Sequence, residues 1–385
     1  MDRDGPFRFH LLGLAHLPVS ERYMACAFTQ KIVKLSKMLL DLGHEVILYG
    51  SEGSDAPCTE FVETHTMDDI RWSWGDVGTT PGPFDDDLGY DWKKEGFRND
   101  FNLAKTAATK KYYVSATNEI LKRKKDDDFL LLSQGVYQKP IASQVKLFLT
   151  CEPGVGYRGS YAKYRAFESR YLQNFTYGSE HPRESINGNP YDRVIPNYFD
   201  EKDFPFCAEK DDYYLFVGRL IPRKGVKIAA LATQAIGAHL ILAGQGDFDI
   251  SEFSHIEKAG YLDAKRRAKL MGRAKAVFVP TIYLEAFGGV NVEAQLCGTP
   301  VICSDFGAFP ETVIHGETGF LCNTLEDYVR AAKMVEFLDV DVIRAHAERY
   351  LMRNVQREFD YWFKDLYQLY LSSIDETVKG WHYLP

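Results

Sequence analysis

The amino-acid sequence predicts an α/β protein built as two parallel-sheet domains with a cleft between them, and three observations carry that prediction. The chain opens as strand, helix, strand, which is the start of a parallel sheet. Short apolar runs alternate with helical segments again over about 200–350. The 385 residues also exceed what one core ordinarily organises, since domains average roughly 100 to 200 residues.

Residues 9–14 read as the first strand, followed by the loop "AHLPVSER" and a helix in which Ile32, Leu35, Leu39 and Leu42 recur at helical spacing. Gly43 supplies the stop. "HEVILYG" is a continuously apolar strand, as expected of a parallel sheet covered on both faces. Residues 66–100 combine prolines, glycines, acids and three tryptophans and read as a long loop, a type of segment that tends to be functional. Its aromatic rings could stack on sugars or pack beneath the loop, and Asp85, Asp86 and Asp87 suit a solvated turn better than a divalent ion. A helical stretch near 97–123 leads to the strand "DFLLLSQG", and 174–177 reads as a further strand. Pro196-Asn197 punctuates the chain like a domain boundary, dividing 1–197 from 198–354. Beyond it "YYLFVGRL", "AHLILAGQG", "KAVFVP" and "TPVICSD" are strands separated by helical segments. The tail is an amphipathic helix whose stripe of Val355, Phe359, Trp362, Phe363, Leu366 and Tyr370 has to be covered by something.

A net charge of -8 and a pI near 5.7 argue against a broad basic field and hence against nucleic acid as a partner. The basic run in "LKRKKDDD" is cancelled by the aspartates that follow it. No run reaches the roughly 18 apolar residues of a membrane span, and the N-terminus lacks a signal-peptide core. The expectation is a cytoplasmic protein without an integral membrane segment. Seven scattered cysteines with no C-x-x-C point to reduced thiols rather than disulfides or zinc, so no metal site is expected. The sequon Asn174-Phe175-Thr176 is discounted on the same cytoplasmic grounds.

Within "LFLTCEPGVGYRGSYAKY", Gly154, Gly156 and Gly159 spell G-x-G-x-x-G, with Glu180 about 20 residues further on, as in a dinucleotide-binding turn. Such a turn opens its own βαβ unit, whereas this one follows several elements of a domain already under way. Cys151-Glu152-Pro153 also intervenes between strand and glycines. The stretch therefore reads as a cleft-facing turn at a strand's carboxyl end, with Glu152, Tyr157 and Arg158 as candidate cleft contacts, and the dehydrogenase reading is set aside.

The densest chemistry lies in the second half. In "FVGRLIPRKGVKIAALA" a strand ends at Gly218 and a helix starts after Gly225, so Arg219 and Lys224 project from the strand's carboxyl edge, where open α/β sheets bind ligands. A planar donor fork and a point charge suit a diphosphate; a basic loop paired with surface acids is the alternative. In "LEAFGGVNVEAQLCGTPVICSDFGAFPETVIHGETGF", Glu285 precedes Phe287-Gly288-Gly289 and Glu293 lies on the helix that follows. Gly288 and Gly289 let backbone N–H groups approach a ligand at a helix N-terminus, which favours an anion. Carboxylates accept hydrogen bonds from vicinal hydroxyls, so two of them flanking a phosphate-binding turn suit a nucleotide sugar.

Glu285 to Glu293 resembles the E-x7-E element of retaining glycosyltransferases of family 4, which have the two-Rossmann-domain GT-B fold. "VIPNYFD", "GRLIPRKG", "GQG" at 244–246, "GTPVI" and "GAFPETVIHGETGF" resemble that family's other marks, in order, over about 194–320. The first 190 residues match only in general pattern. The resemblance implies a catalytic set of Arg219 and Lys224 on the donor diphosphate and Glu285 on the transferred sugar, with Glu293 on the ribose hydroxyls. It implies further donor contacts at Gly218, Gly244, Phe287 and Val290, backbone contacts around Gly288 and Gly289, and the base near Tyr261 and Leu262. It also implies metal-independent retaining transfer from a nucleoside-diphosphate sugar, UDP favoured and GDP allowed, with no cofactor required. The acceptor would be a glycan, glycoprotein or lipid-linked sugar, as in polysaccharide synthesis, on a protein peripheral to a membrane at most. Residues 1–197 would take the acceptor, completed by a C-terminal helix of about 355–385 that crosses back. The chain is similar to glycosyltransferases of bacterial surface-polysaccharide clusters and of large algal viruses.

"GLAHLPVSER" and "LLLSQG" depart from the family's glycine-rich turn and cleft histidine, and His16 or Gln134 would either stand in for them or be structural. Sugar-nucleotide epimerases and phosphorylases share the fold, and a non-catalytic sugar-binding module is the alternative from another class.

Overall fold

The computed structural model describes residues 5–23, 26–75, 106–180 and 188–374. Two parallel sheets organise the chain, as the sequence predicts. The first is formed by β1 (Arg8–Leu12), β2 (Glu45–Ser51), β3 (Glu60–His65), β4 (Phe129–Leu131), β5 (Leu149–Val155), β6 (Tyr164–Phe167) and β7 (Arg193–Val194). Its order is β3-β2-β1-β4-β5-β6-β7. Central strands such as β4 are buried along their whole length, which is why they read as unbroken apolar runs rather than as alternation. Helix α1 (Ala27–Asp41) lays Ile32, Leu35 and Leu39 on this sheet. It ends at Gly43, whose φ of +82° is the left-handed conformation that a side chain would resist.

Three expectations fail locally. Helix α2 (Met67–Gly75) occupies the start of the segment read as a loop. Thr66 and Asp69 form a reciprocal cap, the Asp69 N–H donating to Thr66 Oγ1 at 3.2 Å and the Thr66 N–H to Asp69 Oδ2 at 2.8 Å. Asp85, Asp86, Asp87 and residues 97–105 of the expected helix lie outside the described residues; its remainder is α3 (Ala107–Arg123). After α4 (Lys139–Val145), strand β5 runs straight through Cys151-Glu152-Pro153, with an irregular register beside Pro153. Residues 174–177 are not a strand but the middle of α5 (Arg170–Glu180). That helix is capped by Ser169, which accepts from the Leu172 N–H at 3.0 Å, and by Glu311, whose carboxylate accepts from the N–H groups of Arg170 at 2.8 Å and Tyr171 at 2.7 Å.

The second sheet comprises β8 (Tyr214–Val217), β9 (Leu240–Ala243), β10 (Ile256–Gly260), β11 (Val277–Val279), β12 (Val301–Ser304) and β13 (Gly319–Cys322), in the order β10-β9-β8-β11-β12-β13. Its helices are α6 (Val226–Ala235), α7 (Ala264–Arg273), α8 (Gly289–Leu296), the short α9 (Phe309–Thr312), α10 (Leu325–Met334) and α11 (Val340–Ala347). The last helix, α12 (Met352–Ile374), leaves this unit and packs on the first. The apolar stripe read from the sequence is covered there: the Phe363 ring lies 4.8 Å from Phe9 and 5.3 Å from Phe129. The crossover is pinned where the Phe199 N–H donates to Tyr350 O and the Met352 N–H donates to Phe199 O. Among the described residues no helix is long and apolar enough to cross a membrane.

Candidate functional site

The carboxyl ends of β8 to β12 carry the loops that the sequence singles out. Gly225, at φ +75°, lets the loop after β8 approach β11 so closely that a Cβ there would lie 1.8 Å from the Pro280 carbonyl oxygen. The Ile282 N–H donates to Arg223 O across the same contact. This zipping brings Lys224 against the loop after β11 that carries Glu285, 61 residues away, and the Lys224 Nζ donates to Glu285 Oε2 at 2.9 Å. The ammonium also sits 4.8 Å from the centre of the Tyr283 ring, with the Arg223 guanidinium at 5.3 Å. Burial alone would lower the Lys224 pKa, but Glu285 and Tyr283 raise it above its usual value, so the group is a cation.

Gly288, at φ +83°, turns the chain into α8; a Cβ there would meet the Phe309 ring at 2.6 Å. The turn sends Glu293 up the cleft-facing side of α8. A cavity of about 220 Å³ is lined by Gly218, Arg219, Gly244, Tyr261, Leu262 and Glu293, together with Val290 and two residues that sequence reasoning missed, Gln30 and Arg267. Arg219 is exposed on its wall. Lys224 and Glu285 do not line it; they form their own pair. The Phe287 side chain is in neither group: only 4% exposed, it stacks on Phe199 at 6.3 Å, so only its backbone is left to face a ligand.

An adjoining cavity of about 260 Å³ is shared by the two domains through Gln30 and Lys34 of α1 on one side and Arg267 and Glu293 on the other. Lys34 is buried, donates to Tyr198 O at 3.2 Å and lies 5.0 Å from the Phe199 ring centre. Burial lowers its pKa, opposed by Glu293 and Asp203. A lysine in the buried stripe between Val33 and Leu35 was the available signal; Arg267 and Tyr283 left none.

The first-domain candidates are mostly structural. Glu152 is wholly enclosed, accepting from the N–H groups of Tyr161 and Ala162 and, at 3.3 Å, from the Tyr157 hydroxyl. Burial pushes its carboxyl up to about 7 against those three donors. It orders its loop rather than facing the cleft, because a carboxylate saturated by its own loop has no oxygen to offer outward. Arg158 is exposed and lies over the Phe175 ring at 5.0 Å. Gln134 is buried, its N–H donating to Gln138 Oε1 at 3.0 Å. His16 has a buried Nδ1 without a hydrogen-bond partner, and burial, reinforced by His65, lowers its pKa to about 4.

A larger concavity, about 1060 Å³, is lined by Tyr214, His239, Lys275 and Pro300 at the amino ends of the second sheet's strands. That is the wrong end for an α/β ligand site. It is volume without converging chemistry.

Residues 199–342 match the family of glycosyl transferases group 1. This segment is a group 1 glycosyl transferase domain. It is 31% identical over 186 residues to a glycogen synthase of Mycobacterium tuberculosis, covering 44% of this chain and 45% of that protein. A phosphatidyl-myo-inositol mannosyltransferase of Mycolicibacterium smegmatis is 30% identical over 205 residues, 48% of this chain and 52% of that one. The chain therefore spans about half the length of the curated relatives it matches. Solved structures cover more of it. AviGT4, a glycosyltransferase involved in avilamycin A biosynthesis, superimposes over 94% of this chain and 98% of its own, with a TM-score of 0.62 and 19% identity. Sucrose-phosphate synthase from Thermosynechococcus elongatus does so over 96% and 99%, at 0.63 and 17%. Anabaena HepE in complex with UDP and glucose does so over 92% and 98%, at 0.60 and 15%. At such identities the likeness establishes the fold, which is GT-B. The group 1 domain holds every donor-side candidate, from Gly218 to Glu293, whereas His16, Gln134, Glu152, Tyr157 and Arg158 lie outside it.

Proposed function

We propose that the chain is a retaining glycosyltransferase that moves a hexose-type sugar from a nucleoside-diphosphate sugar to a hydroxyl of a glycan, glycoprotein or lipid-linked acceptor. One observation carries the reading: Arg219, the Lys224–Glu285 pair, the start of α8 and Glu293 converge on the carboxyl edge of one parallel sheet. In this reading residues 198–354 take the donor, with Glu285 on the sugar and Glu293 on the ribose, while 1–197 with α12 take the acceptor. UDP is the favoured nucleotide and GDP the second; the solved UDP and glucose complex of a structural neighbour supports that order. Transfer then belongs to the cytoplasm, and a lipid-linked acceptor would bring the chain to a membrane surface.

Charge develops on the bridging phosphate oxygen as the sugar departs. Arg219, Lys224 and the α8 N–H groups are preorganised cationic or dipolar partners for it, and they stabilise the transition state more than the ground state. Lys224 is paired with Glu285, so a diphosphate bound there competes for the ammonium and leaves Glu285 to accept from sugar hydroxyls. A leaving phosphate oxygen can take the acceptor's proton, which makes transfer independent of a metal or a dedicated base.

Titration with UDP-, GDP- and ADP-sugars, followed by assay of slow donor hydrolysis, tests the reading; saturable binding of one of them with release of its sugar is expected. Arg219→Ala and Lys224→Ala should each lower turnover by about 10² to 10³, roughly 3 kcal/mol, with the fold retained. No binding by any of the three, or near-normal turnover in both variants, overturns it. Donor conversion without an acceptor to an epimeric sugar would identify an epimerase instead.

A further inference from the structure

The donor reading gives Glu293 the ribose, and the structure gives Glu293 a partner with no assigned role. Arg267 Nε lies 3.4 Å from Glu293 Oε2, and both side chains are largely withdrawn from water, at 22% and 12% exposure. Arg267 reaches this position because α7 starts close by. Asp263 caps the helix, its carboxylate accepting from the Arg266 N–H at 2.8 Å, and the Arg267 N–H donates to Asp263 O at 2.9 Å. Arg267 therefore leaves the first turn of α7 toward α8, while Ala268 and Met271 of the same helix go into the core.

The geometry has a chemical consequence. A glutamate has three side-chain torsions, and ordering them to meet a ligand costs entropy. A guanidinium held on one carboxylate oxygen removes that freedom in advance and leaves the other oxygen for a hydroxyl. Arg267 lines both cavities that Glu293 lines, and its contact is with one oxygen of the carboxylate, Oε2. Lys34, from the other domain, lines the larger of the two, and Glu293 is the acid that acts on it most strongly.

We propose that Arg267 is a positioning residue that holds Glu293 for the donor's ribose, and that the pair makes the site selective for ribonucleoside diphosphates over those lacking the 2′- and 3′-hydroxyls. The proposal rests on the donor reading above. Arg267 acts through Glu293, so its loss is felt only by a ligand that carries the hydroxyls.

The test uses the full chain and two probes, UDP and 2′,3′-dideoxy-UDP, titrated by calorimetry into the wild type, Arg267→Met and Arg267→Lys. If the wild type binds neither, GDP and 2′,3′-dideoxy-GDP replace them. The wild type should prefer the ribose form by at least about tenfold, the scale of a hydrogen bond to a charged group. Arg267→Met should lose most of that preference by weakening the ribose probe alone, and Arg267→Lys should restore part of it. A wild-type preference that survives in Arg267→Met overturns the role of Arg267, and so does an equal loss of affinity for both probes. A wild type that binds both probes equally overturns the ribose role of Glu293 itself, and one that binds none of the four overturns the donor reading.

Discussion

Glu152 shows how much a single side chain's surroundings decide. In sequence it reads as an acid at a cleft-facing turn, which suggests a ligand contact, yet it lies within β5, where two backbone N–H groups and the Tyr157 hydroxyl use it internally. Its folded pKa of about 7 lies above that of an unfolded glutamate, so folding favours the protonated form. The stability it contributes is complete below about pH 4.5 and is lost as pH rises through about 7. Glu152→Gln keeps an acceptor oxygen and removes the charge. Its melting temperature relative to wild type should therefore climb between pH 5 and pH 8, by an amount equivalent to about 2 kcal/mol. A difference that stays flat over that range, measured by thermal denaturation, would contradict the assignment.

At the scale of elements, legibility followed the range of the forces. The stripes of α1 and α12 were readable because apolar residues at helical spacing have to face something. Helix α2 carried a readable signal as well: Thr66 and Asp69 are a capping pair three residues apart, obscured by the tryptophans and acids that follow. Helix α5 was harder. Phe175, Thr176 and Tyr177 are good strand formers, and part of the helix start is supplied by Glu311, 140 residues from Tyr171 in the other domain, which no local pattern encodes. The start of α8 was legible because its glycines have a steric cause. Gly288→Ala combines a strained φ with a clash against Phe309, and should cost about 1 to 3 kcal/mol in urea denaturation while weakening nucleoside diphosphate binding. Unchanged binding in a stably folded variant would separate α8 from the donor site.

The molecule as a whole is tied together by α12, which starts beside the second domain and spends its length on the first. Its aromatic residues join Phe7, Phe9 and Phe129 in one cluster, so the first domain's core is finished by the last helix of the chain. Phe363→Ala removes a ring from the middle of that cluster and should cost about 3 to 5 kcal/mol. Hydrogen exchange should accelerate in β1 and β4 and stay unchanged in β8 and β11; equal acceleration in both sheets would mean that the two cores unfold as one.

The sequence by itself determined the two-domain α/β plan, the glycine-bounded loops of the second half and the apolar stripe of the last helix. Each of these rests on periodicity, on glycines at forced turns or on residues close together along the chain. Only the tertiary structure decided that Lys224 meets Glu285, that Arg267 pairs with Glu293, that Lys34 is buried where the domains meet and that Glu152 faces inward. Those pairings join segments tens to hundreds of residues apart, or depend on burial, and the energy of a charge depends on what surrounds it once the chain has closed.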